Sequence, residues 1–468
     1  MYEFIEYVLW ELKNSFGLVL LAGIAAAVVL TVTYFIHKKK FKGQKMFPWG
    51  KALLWLMLVG YLAIVIYATL LRGAGFFHRE WNLHLFRAWR EAWNNYSVKN
   101  WANVLLNIAM FMPLGFLLPL LGKKFRKWYI SIPAGFCASL VIELLQLAIG
   151  QGICDVDDLF CNTLGAVIGY FLIMTILSIF AEKRLKPALV YGCWSLASIL
   201  AICSIFAVYE VKEYGNLPDA AAYCADVSDL EWNMECALPD YGSQAATYQN
   251  QPRSIADCDA FAAEFAETVV TTFDDISYYQ EAAYYMNHGS ENGYHFLFVH
   301  YHDSGYEYTW GNHDDPVWVD ADRETVEAAL ERYPLYIPEY AVFTAEGDGW
   351  HSFTVDAHVD GSVMIDGTLR CRYAQDGTVR EIENDLLSYT YYDQVNIISA
   401  EEAYQQLCSG NFSGAETIKY YAEDTVSVVS CSLDYEIDTK GFYQPVYYFD
   451  VASADGSYAD QIMIPAMR

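Results

Sequence analysis

The sequence predicts an α-helical multi-pass membrane bundle of about six spans, followed by a soluble α+β domain of antiparallel sheets with packed helices. Three observations carry this. Apolar runs recur through the first 208 residues, each close to the roughly 20 residues that a bilayer-spanning helix needs. Short basic loops separate alternate runs. Charge divides the chain: residues 1–208 hold 19 Lys+Arg against 10 Asp+Glu, while residues 209–468 hold 10 against 47, giving the net charge of −28. The acidic half argues against a nucleic-acid partner, which needs a basic footprint. It suits a soluble domain kept off anionic surfaces, or one that attracts cations and basic ligands.

The chain opens on aromatic and acidic residues, whereas a secretory signal starts basic, so no cleaved signal peptide is expected. The expected membrane domain is 1–208, with spans at 16–36, 50–71, 102–121, 129–149, 159–180 and 188–208. Loop 37–51 carries Lys38, Lys39, Lys40, Lys42, Lys45 and Lys51. Loop 122–128 carries Lys123, Lys124, Arg126 and Lys127, and loop 181–187 carries Lys183, Arg184 and Lys186. These are alternate loops, so all three can be cytoplasmic. The N-terminus, loop 72–100, loop 150–157 and the acidic half then lie outside the cell membrane. Loop 72–100 runs against the pattern, with Arg72, Arg79, Arg87, Arg90 and Lys99.

Residues 209–252 read as a linker, and 253–468 as the extracytoplasmic α+β domain, readable as two related units, 253–340 and 341–468. Helical periodicity marks 256–272, through Phe261, Phe265 and Val269. Strands are expected at 282–287, 294–303 and 306–310, then a helix at 323–333 closed by Pro334. Further strands follow at 341–359, 363–374 and 378–382. Ser399 and Glu402 have capping-box spacing. A hairpin of 425–437 with 445–451 and a last strand at 458–465 complete the domain. Cys224, Cys236, Cys258, Cys371, Cys408 and Cys431 permit up to three disulfides outside the cell. No CxxC occurs, and no cofactor is expected.

Polar residues recur inside the apolar runs at helical spacing: Asn103 and Asn107, then Glu143 and Gln146, then Asp157, Asp158 and Asn162. Such side chains are costly in hydrocarbon. With the loops placed as above, all of them, and Arg72 at the end of the second span, fall at one outer membrane level. Asp158, Asn162, Gly165 and Gly169 follow one helical stripe. Gly165 and Gly169 form a GxxxG that lets another helix approach closely. Pro113, Gly115 and Pro119 predict a bent third span whose freed carbonyls need partners. The amides can be interhelical glue, Glu143 can pair with Arg72, and the aspartates can cap a helix. A hard cation between Glu143, Asp157 and Asp158 is a further reading, although no His joins them.

Four blocks resemble the VanZ-like family of bacterial membrane proteins over residues 50–180. They are Tyr67-Ala-Thr-Leu-Leu-Arg72, then Asn107 to Pro119 with Pro113 and Gly115, then Ile142-Glu143-Leu-Leu-Gln146, then Asp155 to Tyr170 with Asp157, Asp158, Asn162, Gly165 and Gly169. Asn82-Leu-His84-Leu-Phe86 stands where that family often has NLxPF. The resemblance implies the outer face of a Gram-positive envelope and a link to resistance against the glycopeptide teicoplanin. It implies no reaction. In the tail, 398–404 and 441–448 are similar to PepSY-like units of extracytoplasmic regulators.

The first reading is a non-enzymatic membrane module whose polar cluster recognises a lipid-linked wall precursor or lipoglycopeptide. Arg72, Arg79, Arg87 and Arg90 would meet phosphate or carboxylate. Glu143, Gln146, Asp158 and Asn162 would meet amide, ammonium or hydroxyl groups. The acidic domain would bind an envelope protein or wall component. The alternatives are an enzyme acting on a lipid headgroup, with Glu143 or Asp158 as base, and a sensor or scaffold displaying the acidic domain.

Overall fold

The structure, a computed structural model, describes residues 28–29, 31–40, 47–71, 81–150, 153–250, 252–279, 282–290, 293–301, 304–311, 316–421, 425–453 and 458–468. Most of the expected first span, and Lys42, Lys45, Arg72 and Arg79, lie outside these residues. The chain divides into two compact units, Met1–Glu213 and Tyr214–Arg468.

In the first unit, helix α1 covers 31–40. Helix α2 (Trp49–Ile66) continues into a π turn over Tyr67–Leu71. A two-residue strand β1 (Trp81–Asn82) leads to the short helix α3 (Arg87–Asn95). Then come α4 (Val98–Leu121), α5 (Trp128–Ile149), strand β2 (Cys154–Asp155), α6 (Val156–Phe180) and α7 (Leu185–Val211). Among the described residues, α2, α4, α5, α6 and α7 are long and apolar enough to cross a membrane. Two spans start earlier than the hydropathy runs suggest, because polar side chains cap them. Ser97 accepts from Asn100 N at 3.2 Å at the start of α4. Asp155 accepts from Asp157 N at 2.7 Å at the start of α6.

α6 is the most enclosed span and α7 the most exposed. α6 meets α4 through glycine. A Cβ on Gly165 would overlap the Ile108 carbonyl, one on Gly169 the Met112 carbonyl, and one on Gly115 the Ala166 carbonyl. Backbone therefore lies directly against backbone, as small residues allow. α4 runs as one helix through Pro113 and Pro119. Tyr61 of α2 donates from its hydroxyl to the Met110 carbonyl at 2.8 Å, next to the Ala109 carbonyl that Pro113 leaves without its helical donor. At the opposite end from α3, Arg126 pairs with Glu182 at 3.2 Å, and the Tyr170 hydroxyl donates to the Arg126 carbonyl at 2.7 Å.

The second unit is a large, mainly antiparallel sheet with four helices among the described residues. Its path begins with β3 (Glu231–Met234), β14 (Thr425–Ile437), β15 (Phe442–Ser453), β4 (Gln244–Gln249), β13 (Leu387–Asn396) and β11 (Val363–Tyr373). It continues through β12 (Val379–Asn384), β8 (Tyr306–Gly311), β7 (Gly293–His300), β6 (Ala282–Ser290) and β5 (Asp275–Tyr278). β16 (Ala459–Pro465) pairs with β15, β10 (Trp350–Asp360) with β11, and β9 (Val342–Gly347) with β10. One apolar core forms under α8 (Ile255–Thr268) and α9 (Arg323–Leu330), around Phe265, Leu297, Tyr308 and Phe353. A second forms under α10 (Ala400–Cys408) and α11 (Ala415–Tyr421), around Leu407, Val428, Phe449 and Ile464.

Three expectations need correction. The segment read as a linker contains β3 and β4. β3 pairs in parallel with β14, Glu231 opposite Thr425, a partner nearly 200 residues away that local pattern does not reveal. The single strand expected at 341–359 is a hairpin of β9 and β10, turned at Asp348-Gly349, where Gly347 and Gly349 take positive φ. The six cysteines of this half are thiols. Cys258 and Cys371 sit inside the first core, where they pack as small apolar groups.

The Ser399–Glu402 capping box is formed: Glu402 N donates to Ser399 Oγ at 3.2 Å, and Ser399 N donates to Glu402 at 2.9 Å. Ser399→Ala should lower the stability of this unit by about 1 kcal/mol, read as a reduced urea midpoint. An unchanged midpoint would remove the cap from the account of α10.

Candidate functional site

The α3 end of the first unit is built by three acidic residues in a row of four. β1 pairs in parallel with β2, Trp81 opposite Cys154 and Asn82 opposite Asp155. The Asn82 amide also donates to Asp155 Oδ2 at 2.9 Å, while Asp155 Oδ1 caps α6. Asp157 is fully buried and accepts from Phe86 N at 2.5 Å and from Ala88 N at 2.7 Å. α3 has no side-chain cap of its own, and its first N–H groups would otherwise be orphans. Asp157 thus caps α3 from another helix, with its negative charge at the positive end of the helix dipole. The same contact holds Phe86 at a φ of 69°, a left-handed conformation costly for a side chain with a Cβ.

Asp158 is the next residue, about 100° around the helix, and serves a different face. Asn107 of α4 donates to Asp158 Oδ1. One turn further along α6, the buried Asn162 amide donates to Ser139 Oγ of α5 at 3.0 Å. Ser139 lies one turn from Glu143 on α5. Because α5 and α6 run in opposite directions, one turn from that bond toward the α3 end brings Glu143 level with Asp158. Glu143 is 2% exposed and accepts from Asp155 N at 3.0 Å. Gln146, on the same α5 stripe, donates to the Thr69 carbonyl in the π turn at 3.1 Å. Among the described residues, the buried Asn162 Oδ1 and Gln146 Oε1 have no hydrogen-bond partner. Among the described residues of this unit, the ion pairs are Arg87–Glu91 and Arg126–Glu182; none involves Glu143, Asp157 or Asp158.

Of the residues singled out in the sequence, Asn107, Glu143, Gln146, Asp158 and Asn162 therefore lie along the facing stripes of α4, α5 and α6. Asp157 faces α3 instead. Asn103 is exposed, one turn beyond Asn107. Arg72 and Arg79 lie outside the described residues. Arg87 pairs with Glu91 at 2.8 Å, and Arg90 is exposed. Gly115, Gly165 and Gly169 are at the α4–α6 contact, and Pro113 is on an exposed face of α4. A cation between Glu143, Asp157 and Asp158 does not fit, since Asp157 has both oxygens on α3. No cluster of three or more His, Cys, Asp or Glu suited to a metal occurs among the described residues.

Sequence reasoning missed Ser139, Thr69, the bonding role of Asn82, and α3 itself. Ser139 carried a signal, standing four residues before Glu143. The carbonyl of Thr69 carried none, because any residue supplies one.

Residues 49–179 match the model of the family described as VanZ/LLP1, so a VanZ-like domain occupies most of the spans just described. No curated protein matches the chain in sequence. The solved Bacillus megaterium YpeB C-terminal domain is similar at 14% identity, with a TM-score of 0.19, over 47% of this chain and 95% of that one.

Proposed function

We propose that the VanZ-like unit recognises the polar head of a membrane amphiphile, a lipid-linked wall precursor or a lipoglycopeptide, at the face shared by α4, α5 and α6, without a reaction on it. One observation carries this reading: hydrogen-bond acceptors outnumber donors there. Glu143 and Asp158 bring two carboxylates, each accepting one hydrogen bond among the described residues. Asn162 Oδ1 and Gln146 Oε1 add two buried oxygens that have none. Buried acceptors without donors are costly, and ionisable groups within a membrane domain mark functional paths. A ligand rich in N–H and O–H groups, such as a peptide or sugar head, meets that need.

The α3 end then faces outward, with the basic loops 122–128 and 181–187 in the cytoplasm, in keeping with the positive-inside pattern. The acidic second unit lies outside and engages an envelope protein or wall component. A role in tolerance to teicoplanin-type drugs follows from the same head chemistry.

Glu143→Gln tests the site. It keeps shape but removes the charge, and one charge-assisted hydrogen bond contributes about 1.5–3 kcal/mol. Binding of a lipid-linked wall precursor to the full chain in nanodiscs should weaken roughly tenfold or more. Asn103→Ala, on the exposed turn, should leave it unchanged. Equal affinity of Glu143→Gln and the parent would falsify the assignment.

A further inference from the structure

A second feature of the first unit has no part in that head-binding face. A cleft of about 470 Å³ opens between α3, α6 and α7. Phe86 and Trp89 wall it at the α3 end, Phe160 and Leu164 on α6, and Ala201 and Ile205 on α7. Phe160 and Leu164 are one turn apart, on the side of α6 turned away from Asp158 and Asn162. The volume falls within the range of sites that enclose small ligands.

Four observations identify an occupant. The walls are apolar and belong to membrane spans, so the surrounding medium is hydrocarbon. From Ser198 to Ile205 the α7 wall is about 10 Å long, roughly two-thirds of one leaflet's hydrocarbon. The cleft is also fixed before anything enters it: Asp157 pins Phe86 and Ala88, and the Phe86 ring packs edge-on to Phe160 at 5.2 Å. A preformed site spares a ligand the cost of ordering it. At the α3 end, the exposed Arg90 stands next to the cleft-lining Trp89, with no acidic residue in the first turn of α3. That pairing of indole and guanidinium suits a short helix lying at headgroup depth, where Arg meets phosphate.

We infer that the cleft seats one acyl tail of an anionic phospholipid of the bilayer, with the lipid phosphate at Arg90. The site stands independently of the head-binding face. Its probe is phosphatidylglycerol carrying a diazirine on its acyl tail, with the full chain in nanodiscs of phosphatidylcholine and phosphatidylglycerol. Irradiation should label 160–164 and 198–205 in preference to Leu189, Val190 and Trp194, which are exposed elsewhere on α7. Ala201→Trp fills the space from an exposed position and should abolish that labelling; Ser198→Trp provides a second block. Arg90→Ala should reduce it roughly tenfold for phosphatidylglycerol and leave a diazirine phosphatidylcholine unaffected. Labelling spread evenly along α7, no labelling, indifference to both tryptophans, or a chain-to-chain adduct through α7 would each overturn the assignment. Glu143→Gln should not alter the labelling, so failure here is separable from failure of the head-binding face.

Discussion

Gly165→Leu should dismantle the pairing of α4 with α6. The new Cβ would lie on the Ile108 carbonyl, a main-chain atom that cannot rotate away as a side chain would. Overpacking of a tight interior commonly costs about 1–3 kcal/mol; with backbone on both sides, the upper end or more is expected. Gly169→Leu should act alike, since its neighbour is the Met112 carbonyl. Gly60→Leu on α2 is the control, because a Cβ there meets nothing within 4 Å. Thermal unfolding in detergent should separate the variants: a large loss of midpoint for Gly165 and Gly169, none for Gly60. Equal behaviour of all three would show that the glycine contact does not hold the bundle together.

Asp157→Ala should release α3. It removes the acceptor of two backbone N–H groups at once. Each buried donor left unsatisfied costs about 1–3 kcal/mol, so the loss is about 2–6 kcal/mol if water does not enter. Asp157→Asn keeps one acceptor oxygen and should fall between. Phe86 is then free to leave its left-handed conformation, so the change should be local before it is global. A cysteine placed at Trp89 would report it, with alkylation much faster in Asp157→Ala than in the parent. An equal rate would mean that α3 is held by the ring contacts of Phe86 with Phe160 and of Trp93 with Tyr209 rather than by the carboxylate.

The spans were legible because apolar runs of the right length have few other uses, and the glycine stripe because its spacing is helical. The acidic run 155–158 was legible as important but not as divided. Asp157 and Asp158 are neighbours in sequence, yet a helix sends them about 100° apart. Which of them faces α3 depends on Phe86 and Ala88, some 70 residues upstream. Asn103 and Asn107 have the same spacing argument, but only Asn107 finds a carboxylate. In the second unit, helices with local signals, such as the Ser399 cap, were readable. β3 and β4 were not, since their partners are β14, β15 and β13, far along the chain. The hairpin of β9 and β10 was hidden by continuous strand-like residues on both sides of one glycine turn.

The wide turn that ends α2 has a consequence for how this helix can change. Its hold on α5 runs through the peptide oxygen of Thr69, gripped by Gln146. Peptide oxygens are common to every residue type, so mutation along the outer surface of α2 cannot erase that grip. The outer surface of the helix is therefore free to change to suit bilayers of different thickness or composition while the helix stays clipped to α5, and at this contact the side-chain requirement falls on Gln146.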